Sequence, residues 1–327
     1  MVRLAALTCA VLLIAAAESA DAQQTDPQRA AVQQVPPQQA DAAADLVSSW
    51  LLVAAERDVA RGEARRVPQA RGLLILDRAG YVFEFFSAPS GPPSDAAVPD
   101  PRRVFADNGG FWGRYEAVPA AARIDFVAEE GVSPSVHGRK FSRSYELAGD
   151  RLIVTSTPEE PQAQADVRLT WQRVPTVEHL SPAYREVVGF WRHVEEARLN
   201  TATGEVDNRR ERAPSVIVYT PGGFVGVHFP TLGRAPFAGE VPTEEEARQA
   251  RNYLGYYGAL GVYPGEVFHN VLGGVSPNAG AILRRFAKIT GDELVVTLPS
   301  GNPQSTLATV VRLRRLSGID DMLPRAR

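Results

Sequence analysis

The sequence predicts an all-β protein made of two tandem antiparallel barrels, the second with one helix across a barrel end. The first observation is an internal repeat, since four segments of the first half recur about 142 residues later. The four pairs are Asp45–Trp50 with Glu186–Trp191, Gly72–Tyr81 with Ser215–Phe224, Gly131–Pro134 with Gly274–Pro277, and Gly149–Thr155 with Gly291–Thr297. A period of this length indicates a duplicated domain, because the units of solenoid proteins are only about 20–50 residues long.

The second observation is a series of short apolar segments joined by turns that contain glycine. In the first copy, Leu73–Leu76 is followed by the turn Asp77–Gly80 and by a second apolar segment, Tyr81–Phe86. The second copy repeats this order in Val216–Tyr219, Thr220–Gly223 and Phe224–Phe229. Glycine supplies the positive φ that tight hairpin turns require. Roughly eight or nine such strands per copy suit a closed barrel, and closure removes the unpaired edges of the sheet.

One segment of the second copy departs from this β pattern. Thr243 and Glu246 have the spacing of a helix capping box, and Ala247, Ala250, Leu254 and Tyr257 follow at helical spacing. We expect this helix to lie across one end of the second barrel. The corresponding stretch of the first copy, Pro101–Gly110, is short and rich in glycine, so no equivalent helix is predicted there and the two copies should differ at one barrel mouth.

The N-terminal residues have the pattern of an export signal. Arg3 provides the positive charge, Leu4–Ala17 the apolar region, and Ala20–Ala22 a small-residue cleavage site, so we expect a periplasmic or secreted protein cut after Ala22. Cys9 lies inside this signal. It could instead attach a lipid, and otherwise the mature chain has no thiol for a disulfide, a nucleophile or a metal.

The expected organisation has six parts. They are a signal peptide (1–22), a disordered leader rich in Gln, Ala and Pro (23–43), a first barrel (44–174), a linker (175–183), a second barrel (184–318) and a tail (319–327). The net charge of -3 gives no electrostatic footprint for nucleic acid. The apolar run of the signal is too short for a comfortable membrane span, and no later segment is a candidate, so no integral membrane segment is expected in the mature protein.

The second copy resembles the bacterial and fungal lipocalin-like domain family. The resemblance extends over nearly all of this copy and rests on a Gly-Phe-Trp opening, an Ile-Val-Tyr-Thr hairpin, a Glu-rich helix, a His-containing strand, a Pro-Asn turn, a paired-Arg strand and a Gly-Asp hairpin. The segments are Gly189–Trp191, Ile217–Phe224, Glu244–Gly258, Val267–Val271, Ser276–Asn278, Leu283–Phe286 and Gly291–Leu294.

The resemblance implies a calyx-like barrel but leaves the function open. Similar barrels bind small apolar ligands, and a few act as isomerases, cyclases or hydratases. The first copy resembles the family less, because Phe126 or a neighbour stands where the family has the histidine that is His269 here, and Ser135 stands in for Asn278. A working site is therefore expected in the second barrel.

The candidate site residues all lie in the second copy. They are His228, Tyr256, Tyr257, His269, Asn278, Arg284 and Arg285, and His269 is the candidate catalytic residue. A neutral imidazole inside a barrel could hold a ligand or move a proton, although a hydrogen-bonded structural histidine is the simpler interpretation. His228 could instead be a rim residue, and Tyr256 and Tyr257 could be core packing. Arg284 and Arg285 point to opposite sides of a strand, so only one can face the interior, where it could bind a carboxylate or enolate.

Four further residues of the barrels have simpler expectations. Trp50 and Trp191 open the two copies and are expected to plug the closed barrel ends. Glu84 and Asp125 lie within apolar strands of the first copy, and alternation can place them on the outer face. If either pointed inward, its carboxyl would become a candidate general base with a raised pKa.

The favoured function is binding of a small hydrophobic or aromatic molecule in the barrel cavity. No nucleophile elbow, phosphate-binding loop or metal-ligand spacing is found, so neither a cofactor nor a metal is predicted. The first alternative is an isomerase, cyclase or lyase that uses His269 with a Tyr and an Arg, because such reactions need only a shaped cavity and acid/base groups. The second alternative is an envelope scaffold with two filled barrels and no ligand.

Overall fold

The computed structural model describes residues 43–59, 62–87, 101–156, 167–239, 242–250, 252–275, 280–300 and 305–323. The predicted signal peptide, nearly all of the predicted leader and the candidate residue Asn278 lie outside these ranges.

The first copy forms an antiparallel barrel whose last strand returns to its first. Strands β1 and β3 to β9 pair in chain order, and β9 also pairs with β1, which closes a ring of eight strands. The short strand β2 pairs only with the far end of β1. The strands are β1 (Ser48–Arg57), β2 (Arg65–Arg66), β3 (Arg71–Leu76), β4 (Tyr81–Ser87), β5 (Asn108–Val118), β6 (Arg123–Gly131), β7 (Lys140–Ala148), β8 (Arg151–Ser156) and β9 (Val167–Arg173). Two 3-10 turns, Pro119–Ala121 and Pro134–Val136, join strands of this barrel.

The second copy repeats this ring strand for strand. The short β11 pairs with β10, and β18 pairs back to β10 to close the barrel. The strands are β10 (Gly189–Asn200), β11 (Val206–Arg210), β12 (Val216–Tyr219), β13 (Phe224–Pro230), β14 (Tyr253–Tyr263), β15 (Glu266–Val275), β16 (Ile282–Thr290), β17 (Glu293–Pro299) and β18 (Leu307–Arg315). The predicted fold class of two tandem antiparallel barrels is thus confirmed.

Within the described ranges, four complete short helices accompany the strands. They are α1 (Pro101–Asp107), α2 (Pro182–Val187), α3 (Glu244–Ala250) and α4 (Ile319–Met322). The capping box of α3 forms as expected, since the Thr243 and Glu246 side chains hydrogen-bond each other's backbone N–H. The helix ends at Ala250, however, and Leu254 and Tyr257 belong to strand β14. Aromatic residues favour the pleated surface of a strand, and here β13 and β15 flank them.

The expectation that the first copy lacks the helix is wrong. Helix α1 is as long as α3, and the two helices lie against each other. Pro101 occupies the first helical position, where its missing N–H costs nothing, and Phe105 packs edge-on against Phe237. The glycines belong to β5 instead, and a Cβ on Gly110 would meet the Glu84 carbonyl oxygen at 2.1 Å. Each copy therefore has a helix at this point of the chain, and the buried residues Phe105, Ala247 and Ala250 belong to the apolar cluster between the barrels.

A tryptophan and an arginine close the same end of each barrel. The Arg173 guanidinium lies 4.2 Å from the ring centroid of Trp50, and that of Arg315 lies 4.0 Å from Trp191. Each indole N–H donates to a backbone carbonyl four residues earlier. Both tryptophans are fully buried, and each belongs to the apolar core of its own barrel.

Both barrels lie within one compact unit, and strands of each contribute to the contact between them. In β3, Leu74 faces the first interior while Leu73 and Ile75 face the second barrel; in β12, Ile217 faces the second interior while Val216 and Val218 face the first barrel. This explains why both strands are apolar on both faces.

Buried polar contacts fix the docking of the barrels. Arg234, from the segment after β13, pairs with the Glu130 carboxylate at 3.0 Å and donates to the Gly131 carbonyl at 2.9 Å. Its Nε also donates to the carbonyl of Ala250 at 3.2 Å, so a nearly fully buried cation has its donors satisfied.

The segment predicted as a tail also joins the two barrels. Arg78, in the β3–β4 turn, donates to the carbonyl oxygens of Asp320 at 3.0 Å and Leu323 at 2.7 Å, and Met322 is buried. The neighbouring Asp77 accepts the Tyr81 N–H at 2.6 Å. Burial raises the pKa of Asp77 to about 6, against the opposing effect of Ser317.

Candidate functional site

A buried polar cluster lies inside the second barrel around His269. The Tyr256 hydroxyl is 2.7 Å from Nδ1 of this histidine, and the Tyr219 hydroxyl is 3.3 Å from Nε2. His269 is only 1% exposed, on β15 between the inward-facing Val267 and Val271. One ring nitrogen of a neutral imidazole donates and the other accepts, so the two hydroxyls satisfy both.

The electrostatics of this cluster favour a neutral histidine. Burial lowers the pKa of His269 to about 3, and the nearby charge of Arg285 acts in the same direction. Burial also raises the pKa of Tyr256 to about 12, although Arg285 opposes this shift. Burial likewise raises the pKa of the Tyr219 hydroxyl. At neutral pH the cluster therefore contains hydrogen-bonding hydroxyls, an uncharged ring and the charge of Arg285.

Arg285 is the inward-facing member of the arginine pair on β16. It alternates with Arg284, which is exposed and forms an ion pair with Glu266 on the outer surface. Arg285 donates to the Arg284 carbonyl oxygen and interacts with the Tyr256 hydroxyl. No carboxylate within the described residues forms an ion pair with the Arg285 guanidinium.

The first barrel has an interior arginine at the equivalent position, with a carboxylate against it. In the strand register, Arg143 on β7 stands opposite Ile124 on β6, just as Arg285 on β16 stands opposite Val267 on β15. Nη1 of Arg143 lies 2.6 Å from Oε2 of Glu84, and their side chains are 6% and 1% exposed. The expectation that Glu84 faces outward is thus wrong. Tyr81–Phe86 is apolar on both faces, so alternation alone could not give its phase.

Asp125, by contrast, lies on the outer side as expected. Its carboxylate pairs with Arg123 at 2.7 Å and accepts a hydrogen bond from Ser142 at 2.5 Å. These contacts lower its pKa, mainly through the hydrogen bond from Arg123. Asp125 is therefore no candidate for a general base.

The register shows where the second interior is polar and the first apolar. At five interior positions an apolar residue of the first barrel is replaced by a polar one in the second. These replacements are Leu52 by His193, Ala55 by Glu196, Leu76 by Tyr219, Phe111 by Tyr256, and Phe126 by His269. Three other interior aromatics become smaller: Phe141 and Leu283, Tyr145 and Ala287, and Trp171 and Leu313. The second interior is thus more polar, and at these last three positions its side chains are smaller.

A second polar layer lies further along β10, toward the barrel mouth. Glu196 pairs with Arg212 at 2.5 Å, and His193 packs edge-on against Phe229. Burial lowers the pKa of His193 to about 4, and Arg212 adds to this. The sequence reasoning gave these residues no role. A bulge between His193 and Glu195 shifts the strand phase and turns Glu196 inward, and no sequence signal marked that bulge.

His228 and Tyr257 do not face this interior. His228 is fully buried between the barrels, where Nε2 lies 3.0 Å from the Glu84 carbonyl oxygen and Nδ1 contacts the Tyr253 hydroxyl. Burial lowers its pKa to about 3. Tyr257 packs toward Phe85 of the first barrel. The prediction that His228, Tyr257 and Arg284 line the cavity is therefore not met, because alternation and docking place them outside it.

The remaining surface features lie away from the candidate residues. An open groove of about 470 Å³ on the first barrel is lined by Val53, Ala54 and Arg66–Ala70. A cavity of about 10 Å³ lies inside the first barrel beside Arg143 and Ser156, room for roughly one water.

In the described part of the chain, no three His, Cys, Asp or Glu side chains are grouped to hold a metal ion. None of the helices described there is long and apolar enough to cross a membrane.

Comparisons with known proteins do not place this chain in a family. No family model matches the sequence, and no curated protein matches it. Among solved structures, one match is the crystal structure of a "putative outer membrane protein" from Bacteroides fragilis, with a TM-score of 0.23 and 8% sequence identity. The alignment covers 83% of this chain and 99% of the other. A match at this level carries no argument about a site or an activity.

Proposed function

We propose that this chain is an exported lipocalin-like protein that binds a small, largely apolar molecule inside its second barrel. The observation that carries the proposal is the polar cluster of Tyr219, Tyr256, His269 and Arg285, which lies beside the apolar side chains of Val227, Val267 and Val271 inside the second barrel. Ligand pockets typically combine apolar walls with a few polar anchors. The N-terminal signal pattern supports export to the periplasm or the medium.

The contrast between the barrels supports the second as the binding barrel. In the first, the interior charges neutralise each other and large aromatics surround them. Such an interior suits a structural partner. A scaffold without any ligand is disfavoured by the contrast itself, since apolar side chains fill the equivalent positions of the first barrel, whereas hydrogen-bonded polar groups occupy them in the second.

The properties of His269 favour binding over catalysis. A general base works best with a pKa near the working pH, whereas the pKa of His269 is lowered to about 3. Both ring nitrogens already contact tyrosine hydroxyls. An isomerase, cyclase or lyase remains the second candidate, because Tyr256 and His269 form a hydrogen-bonded pair that could shuttle a proton.

The test is to identify the bound molecule by native mass spectrometry of the mature chain incubated with a cell-envelope extract. His269→Ala should weaken binding, while His179→Ala, at an exposed linker residue, should not. A ligand released unchanged supports binding. A ligand that is converted by the wild type, and still bound but not converted by His269→Ala, would identify an enzyme instead. If the wild type captures nothing, the binding proposal fails.

A further inference from the structure

We propose that the molecule bound in the second barrel carries a carboxylate, and that Arg285 holds it where the Glu84 carboxylate lies in the first barrel. This inference rests on the proposed binding function and names the chemical class of the ligand. The first barrel, in this view, contains its own internal substitute for the ligand headgroup.

The argument begins with the equivalence of positions. Arg143 and Arg285 occupy the same place in the two sheets, each paired with an inward-facing aliphatic residue of the preceding strand. Glu84 pairs with Leu74 and Phe111 of its neighbouring strands. Val227 occupies the matching place, paired with Ile217 and Tyr256. The second barrel therefore keeps the interior cation and replaces its carboxylate with an apolar side chain.

Arg285 is half-buried, whereas Arg143 of the first barrel is almost fully buried. A guanidinium that is partly removed from water is stabilised by a nearby anion and by hydrogen-bond acceptors. In the first barrel, Glu84 meets this need at 2.6 Å. In the second barrel, Arg285 contacts a hydroxyl and a backbone carbonyl, and no described carboxylate pairs with it. A guanidinium presents parallel N–H donors that match a carboxylate, and the Tyr256 hydroxyl can donate to the same group.

The rest of the interior indicates an apolar body for the ligand. Leu283, Ala287 and Leu313 stand where the first barrel has Phe141, Tyr145 and Trp171. Because these aliphatic side chains are smaller than the aromatic ones of the first barrel, we expect apolar atoms of the ligand to take the volume next to Arg285. The predicted ligand class is thus a monocarboxylic acid with a hydrophobic chain or ring.

The experiment measures binding of hexadecanoate and hexadecanol, and of naphthoate and naphthol, to the mature full-length protein near pH 7 by isothermal titration calorimetry. The wild type should bind each acid about 10- to 100-fold more tightly than its alcohol, the range for a hydrogen bond to a charged group. Arg285→Leu should abolish the preference. Arg284→Leu, one residue away on the outer face, should keep it.

A second variant copies the first barrel. Val227→Glu should place an internal carboxylate against Arg285 and weaken acid binding by a similar factor, with thermal melting used to confirm that each variant folds. Equal binding of acids and alcohols by the wild type, unchanged in Arg285→Leu, would overturn the carboxylate assignment and leave the binding function intact. If none of the four compounds binds the wild type, both the assignment and the binding function it rests on are contradicted.

Discussion

The ion pair inside the first barrel gives the sharpest test of how that barrel is stabilised. Glu84→Leu removes the carboxylate and leaves the Arg143 guanidinium among three phenylalanine rings, whose centroids lie 5.4 to 5.6 Å away. Because the two side chains are 1% and 6% exposed, bulk solvent has little access to the guanidinium after the carboxylate is removed. We expect a loss of about 3–5 kcal/mol in the free energy of unfolding, as for other broken buried pairs.

The double variant Glu84→Leu/Arg143→Leu should behave differently. With both charges gone, leucine side chains fill the space and no charge is left unpaired, so stability should return to near the wild-type value or exceed it. The matched control is Glu56→Leu, which breaks the half-exposed pair of Glu56 with Arg168 on the same barrel and should cost less than about 1 kcal/mol.

Urea unfolding of these four proteins, followed by tryptophan fluorescence, measures the differences, and Arg143→Leu as a fifth protein completes the double-mutant cycle. The reasoning is refuted if Glu84→Leu costs no more than Glu56→Leu, or if the double variant is as unstable as the single one. Either result would mean that Arg143 has other compensation inside the barrel.

Three further predictions concern the framework. Burial raises the pKa of Asp77 to about 6, so the folded protein disfavours the ionised carboxyl, and the contribution of Asp77 to the free energy of unfolding falls as the pH rises from about 4 to 6. Asp77→Asn should therefore be about 2–3 kcal/mol more stable than the wild type at pH 7 and equally stable at pH 3.5, as measured by urea unfolding at both pH values. Arg315→Ala should cost about 1–3 kcal/mol in thermal unfolding, because it removes the contact with Trp191 and a hydrogen bond to the Glu186 carbonyl, while Arg312→Ala on the exposed face should cost under about 0.5 kcal/mol. Thr243→Ala should cost about 1 kcal/mol by removing the α3 cap, and a change below about 0.2 kcal/mol would count against the capping box.

The barrel fold was accessible from the sequence because the duplication supplies its own internal comparison. Trp50 recurs as Trp191, and the glycine turn that follows β3 recurs after β12, at nearly the same sequence separation. Each copy therefore supports the assignment of the other. Helix α1 was missed because its glycines were counted with the helix although they begin β5. The contact between the barrels could not be predicted from the sequence either, because pairs such as Arg234 with Glu130 join residues far apart in the chain.

The candidate site was accessible only in part. The alternation of β15 and β16 places His269 and one of the two arginines inside, and the structure brings Arg285, Tyr256 and His269 together. Tyr219 was missed because it ends an apolar strand without a polar neighbour to mark it. His228 follows the same alternation but faces the other barrel, and a sequence pattern cannot distinguish an interior from a buried interface.

A crystal structure of the mature protein grown with hexadecanoate tests the central claim most directly. The account predicts one ligand in the second barrel, with its carboxylate about 2.7–3.2 Å from the Arg285 guanidinium and from the Tyr256 hydroxyl. The Glu84–Arg143 pair of the first barrel should be undisturbed. Hexadecanoate bound in the first barrel, between the barrels or in the groove beside β2, with the second interior empty, would contradict the account.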